Sequence, residues 1–138
     1  MNSFPFQYGQ LLKAADELHI LYCRIVRNGD FPVQLVGSGL YRAATEAPIR
    51  TLDLLQQRMA PYTVWAKTYR MKNESESGLA GWLYSVIEKT ANQLSKEWAD
   101  QVRLNDADKA QMFLGYLGSL PHSSKETAVD NTENEDTL

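Results

Sequence analysis

Leu11, Ala15, Leu18, Tyr22 and Ile25 recur at spacings of four, three, four and three. This is the repeat of one face of an α-helix held over four turns, and a strand of period two cannot produce it. Leu12, His19 and Val26 lie beside the stripe. Asn2 or Ser3 can cap this helix with Pro5 in its first turn, and Asn28-Gly29-Asp30 can end it, since glycine takes a left-handed cap cheaply.

The rest of the chain repeats the pattern. Pro32 opens a new element, and Val33 to Thr45 reads as a short helix weakened at Gly37 and Gly39 by roughly 1 kcal/mol each against alanine. Pro48 starts another, with Ile49, Leu52, Leu55 and Met59 as its stripe. Pro61 is expected to break or kink it before Tyr62, Trp65, Ala66 and Tyr69 continue one aromatic face. A polar stretch from Lys72 to Gly78 reads as a loop. Leu79 to Trp98 reads as a second long helix with Leu79, Leu83, Val86, Ile87, Leu94 and Trp98 inward. A last helix, capped by Asn105 or Asp106, carries Met112, Phe113, Tyr116 and Leu117 and stops at Gly118 and Pro121. The expected fold is all-α, an antiparallel bundle of five to six helices over residues 1–120. From 121 to 138 the apolar period is lost, and that tail is expected to be acidic and disordered.

One thiol, Cys23, cannot form an internal disulfide. No apolar run approaches the roughly 18 residues of a membrane span, and the first residues lack a basic-then-apolar leader pattern. A cytoplasmic setting is the expectation.

The chemistry-bearing residues are sparse. His19 and His122 are the only histidines, and His19 is expected to be a packed or hydrogen-bonded side chain. Cys23 sits on a helix flank, where a thiol is usually a small hydrophobe. Asp16 and Glu17, adjacent on a helix, read as its solvated face. Gly37-Ser38-Gly39 lacks the strand and the Lys-Ser/Thr of a phosphate loop, and reads as close helix packing. Asn105 to Asp108 lacks the glycine and glutamate of a calcium loop and reads as a helix cap. No catalytic residue, metal or cofactor is expected.

Charge is distributed unevenly. Residues 121–138 hold one base and five acids, a net of −4, which leaves thirteen bases against twelve acids, +1, in residues 1–120. Within that body, Arg24, Arg27, Arg42, Arg50, Arg58, Lys67, Arg70 and Lys72 stand against Asp30, Glu46 and Asp53, a local +5. Arginine dominates the set, and its planar fork suits phosphate oxygens. Arg42 with Glu46 and Arg50 with Asp53 are at helical pairing distance. These eight residues are the candidate nucleic-acid contacts. The competing reading is a protein-only adaptor that docks a partner helix on the face around Tyr62, Trp65 and Tyr69.

Three segments carry a resemblance. Gly81 to Lys89 reads Gly-Trp-Leu-Tyr-Ser-Val-Ile-Glu-Lys, and Asp108 to Tyr116 reads Asp-Lys-Ala-Gln-Met-Phe-Leu-Gly-Tyr. Gly29-Asp30-Phe31-Pro32 precedes a short helix. In this order they resemble the small helical subunit of type I CRISPR surveillance complexes (Cascade), especially the type I-C branch, where it equals the C-terminal helical part of the large subunit. The resemblance implies a non-catalytic subunit of the complex's belly. Its partners would be the backbone and large subunits, a neighbouring small-subunit copy, the crRNA–target DNA heteroduplex and the displaced DNA strand. The chain departs from the family after Leu-Gly-Tyr, where basic residues give way to Leu117-Gly118-Ser119-Leu120-Pro121.

Overall fold

The structure is a computed structural model and describes residues 3–69, 74–98 and 103–118. Among these residues there are six helices and no strand: α1 (Phe4–Val26), α2 (Val36–Gly39), α3 (Tyr41–Glu46), α4 (Pro48–Thr68), α5 (Glu74–Glu97) and α6 (Asp106–Leu117). The expected all-α bundle is what forms. The expected acidic tail lies outside the described residues.

Helix α1 is the central element. Ser3 caps it, its hydroxyl accepting from the Phe6 N–H at 3.3 Å, with Pro5 in the first turn. Asn28 and Gly29 both take left-handed φ values, 53° and 85°, and the Gly29 N–H returns to the Cys23 carbonyl at 2.9 Å. Tyr8, Leu11, Leu12, Ala14, Ala15, Leu18 and Leu21 are all buried. That is wider than one stripe, because α2, α4, α5 and α6 all pack against this helix.

After α1 the chain turns back along it. The Val36 N–H donates to His19 Nδ1 at 3.1 Å, the Ser38 N–H to the Asp16 carboxylate at 3.1 Å, and the Tyr8 hydroxyl to the Pro48 carbonyl at 2.7 Å. Gly37 lies against α1 as expected from its small size; a Cβ there would sit 2.2 Å from the Leu12 carbonyl oxygen. The short helix expected over Val33–Thr45 is instead an irregular segment to Leu35 followed by α2 and α3, divided at Leu40. The glycine-rich sequence has too little helix propensity to carry one helix through.

Helix α4 therefore starts level with the first turns of α1. It ends where Tyr22 of α1 meets Trp65 edge-on, with ring centroids 5.3 Å apart. The two helices run in the same direction, so the antiparallel order expected for the bundle does not hold between them. Pro61 does not break α4, contrary to expectation. The ring removes the donor to the Gln57 carbonyl, but Gln57 and Pro61 both lie on the exposed side, where water can satisfy that oxygen.

Helix α5 runs against α1 and α4. Ala80, Leu83, Ile87, Ala91 and Leu94 are its buried stripe, and Trp98 just beyond it packs on Phe4 and Tyr8 at the start of α1. It begins at Glu74, so the polar stretch read as a loop to Gly78 is helical from Glu74 onward, and Leu79, expected inward, is exposed. Asn105 caps α6 by accepting from the Asp108 N–H at 2.8 Å. Met112 and Gly115 face α1, whereas the apolar Phe113 and Leu117 point to solvent.

Candidate nucleic-acid interface

The parallel course of α1 and α4 decides where the basic residues go. Arg24 occupies the last turn of α1, Arg27 follows as its C-cap, and Lys67 lies in the last turn of α4. All three are exposed at the same end of the bundle. Each sits at a helix C-terminus, where the backbone dipole favours a cation. Arg27 also pairs with Asp30 at 3.3 Å, on the surface. Such an exposed pair is weak and leaves the guanidinium open to water.

The other candidates are not gathered there. Arg50 is in the first turn of α4, seventeen residues before Lys67, or about 25 Å along the helix axis. Arg58 is exposed midway; nine residues separate it from Lys67, about half a turn round the helix. Arg42, on α3, pairs with Glu46 at 3.6 Å as its spacing suggests. The Arg50–Asp53 pair expected from spacing does not form among the described residues. Arg70 and Lys72 lie outside the described residues.

Between the cations of α1 and α4 runs a chain of aromatic rings. His19 stacks on Tyr62 at 4.5 Å, Tyr62 meets Tyr22 edge-on at 4.8 Å, Tyr22 meets Trp65, and Trp65 stacks on Tyr69 at 4.9 Å. The face that the sequence offers for a partner helix is thus largely engaged inside the chain. Each ring other than His19 keeps a partly exposed edge. Burial pushes the Tyr62 phenol above its usual range, and the Arg27 charge nearby pulls the other way.

Asp16 and His19 were read from sequence as a solvated carboxylate and a packed histidine. The histidine reading holds, but Asp16 is only 3% exposed. Its carboxylate accepts from the Ser38 N–H and from the Tyr116 hydroxyl, joining α1, α2 and α6. Burial, the hydrogen bond to Asp16 and its negative charge all push the Tyr116 phenol upward. His19 Nδ1 accepts from the Val36 N–H, an arrangement that fits the neutral ring with its hydrogen on Nε2. Burial holds its pKa below the usual value, Asp16 pulls it back up, and Arg27 lowers it further. These acceptors are occupied by backbone and phenol donors, so they hold the chain's return path rather than a substrate. No sequence signal marked Asp16, because its partners come from residues 38 and 116.

Cys23 is buried, and burial pushes its thiol up, away from the thiolate. Among the described residues no three His, Cys, Asp or Glu side chains gather as a metal site, and no helix is long and apolar enough to cross a membrane. Comparison with known protein families, curated proteins and solved structures found no match.

Proposed function

We propose that this chain is a non-catalytic helical subunit that holds nucleic acid through its phosphate backbone. More particularly, it is a small subunit of a type I CRISPR surveillance complex, stabilising bound or unwound target DNA in the cytoplasm. The observation that carries the reading is the joint placement of Arg24, Arg27 and Lys67 at one end of the bundle beside partly exposed aromatic edges. Cations there can meet a phosphate at every nucleotide without reading base identity. Within the resembling segments, Gly115 and Tyr116 have packing roles, against Phe6 and Asp16 respectively. The likeness at those two residues therefore supports a shared fold, and the nucleic-acid reading rests on the cations.

The test is target-DNA affinity of the assembled complex at several salt concentrations. An Arg24→Ala/Arg27→Ala/Lys67→Ala subunit is expected to weaken binding about equally for different targets. The log–log salt slope should flatten by about 0.7 to 0.9 per lost contact. Arg50→Ala, at the far end of α4, should change little. Unchanged affinity and slope in a triple variant that still assembles would refute the reading and favour the protein-only adaptor.

A further inference from the structure

A depression of about 350 Å³, open to solvent and lined by Ile20, Phe31, Pro32 and Leu35, adjoins the cationic end of the bundle. Ile20, Arg24 and Arg27 are spaced by four and three residues, so they share one face of α1. The two cations lie about 6 and 10 Å beyond Ile20 along the helix axis. The acids beside them are paired within the chain: Asp30 with Arg27, and Glu17, one turn before Ile20, with Lys13 at 3.9 Å. An apolar hollow and a cationic rim thus follow one another along α1. They suit an extended segment that carries an apolar residue first and carboxylates after it.

The chain's own C-terminal segment has that order. Ala128 and Val129 stand between Glu126 and Asp130, and Glu133, Glu135 and Asp136 follow. The segment is tied to the bundle at Gly118, three residues past Gly115, which lies against the backbone of Phe6 and Gln10. From Gln10 to Ile20 is about 15 Å along α1, and the helix crossing with the last turn of α6 adds about 15 Å. Val129 is eleven residues beyond Gly118, and a chain of that length spans up to about 36 Å. Val129 can therefore reach the depression. Coming from the side of Gln10, the chain then continues towards Arg24 and Arg27.

We propose that residues 126–136 of this chain fill the depression, with Val129 seated against Ile20 and the carboxylates that follow laid over Arg24 and Arg27. An extended backbone advances about 3.3 Å per residue, so Asp130 falls about 3 Å and Glu133 about 13 Å past Val129. These positions bracket the two guanidinium groups, whose long stems cover the remaining offset. Each exposed charge pair is weak. The tether compensates, because it holds the segment at an effective concentration in the millimolar range, above that of any separate molecule at micromolar concentration. The consequence rests on the nucleic-acid reading. Carboxylates on Arg24 and Arg27 must leave before phosphates can bind, so the segment lowers nucleic-acid affinity in proportion to the time it is docked.

Amide NMR spectra of the full chain without nucleic acid test the docking by itself. Val129→Ser, which leaves the charge unchanged, and Asp130→Asn/Glu133→Gln both alter residues beyond Gly118. At about 20 mM salt each should shift the amides of Ile20, Arg24, Arg27 and Phe31, while those of Leu83 and Met112 stay in place. At about 0.5 M salt the effect of the carboxamide variant should vanish. The shifts should be the same from about 20 μM to 1 mM protein, because the contact is within one chain. Arg24→Glu should undock the segment, and adding Asp130→Lys to the same chain should restore it. The proposal fails if the variants leave the amides around the depression unmoved, or if the charge exchange restores nothing. It also fails if the shifts grow with protein concentration, which would make the occupant another molecule. Binding of oligothymidylate to the same chains tests the consequence. Val129→Ser should bind about threefold tighter, the gain expected if the segment holds the site about two thirds of the time. Docking in the spectra with no gain in affinity would uphold the docked segment and refute the nucleic-acid reading of Arg24 and Arg27.

Discussion

Replacing Gly9 by alanine tests the closest contact in the fold. A Cβ at Gly9 would stand 2.0 Å from the Met112 carbonyl oxygen and 2.7 Å from the Tyr116 nitrogen. From the other side, a Cβ at Gly115 would stand 2.0 Å from the Phe6 carbonyl oxygen. Ordinary contact begins at 3.4 Å, so α1 and α6 must part by about 3.4 − 2.0 = 1.4 Å. The obstacles are backbone atoms, which cannot swing aside. Separation by about 1 Å forfeits a quarter to half of the dispersion energy of every atom pair across the crossing. It also pulls Tyr116 from Asp16. Overpacking of this kind costs about 1–3 kcal/mol or more, against a gain of about 1 kcal/mol in helix propensity. With the lost contacts included, the net expectation for Gly9→Ala is a loss of about 2 kcal/mol. Gly81, inside α5, is the control, because a Cβ there meets nothing within 4 Å. Gly81→Ala should stabilise by up to about 1 kcal/mol through propensity and the unfolded chain. Urea titration of both variants reads the two signs, and thermal melting should follow at about 4 °C per kcal/mol. If Gly9→Ala stabilises as much as Gly81→Ala, the two helix backbones are not in contact and the placement of α6 is wrong.

Leu83, fully buried in the stripe of α5, should cost about 2–5 kcal/mol when cut to alanine; a denaturant titration giving less than about 0.5 kcal/mol would mean that α5 is rotated out of phase. The His19 pKa is depressed in the fold, so its contribution is complete above the unfolded value of about 6.5 and is lost as pH falls through the lower folded value. Stability measured from pH 7 to pH 5 should therefore decline on acidification. His19→Gln should flatten that decline, and an unchanged slope in the variant would place the responsible proton elsewhere.

The sequence alone determined the fold class and most of the inward faces. Period-3.6 stripes such as Leu11 to Ile25 and Leu83 to Leu94 bury apolar area in only one way, and Ser3, Gly29 and Asn105 mark helix ends by local chemistry that needs no distant partner. It also showed the excess of cations between Arg24 and Lys72. What it left undecided depends on residues far apart in the chain. Pro61 reads as a break or kink, but on the exposed side of α4, where water can take the place of the lost donor, the helix runs on through it. Phe113 and Leu117 look like core by composition, but Gly115 brings the backbone of α6 against α1 and turns those side chains outward. Asp16 reads as a surface acid until residues 38 and 116 arrive to bond it. The grouping of Arg24 and Arg27 with Lys67, and the distance of Arg50 from them, follows from one tertiary fact. The chain returns along α1 before α4 begins, because His19, Asp16 and Tyr8 hold the backbone at residues 36, 38 and 48, and no local pattern in the sequence encodes a bond across forty residues.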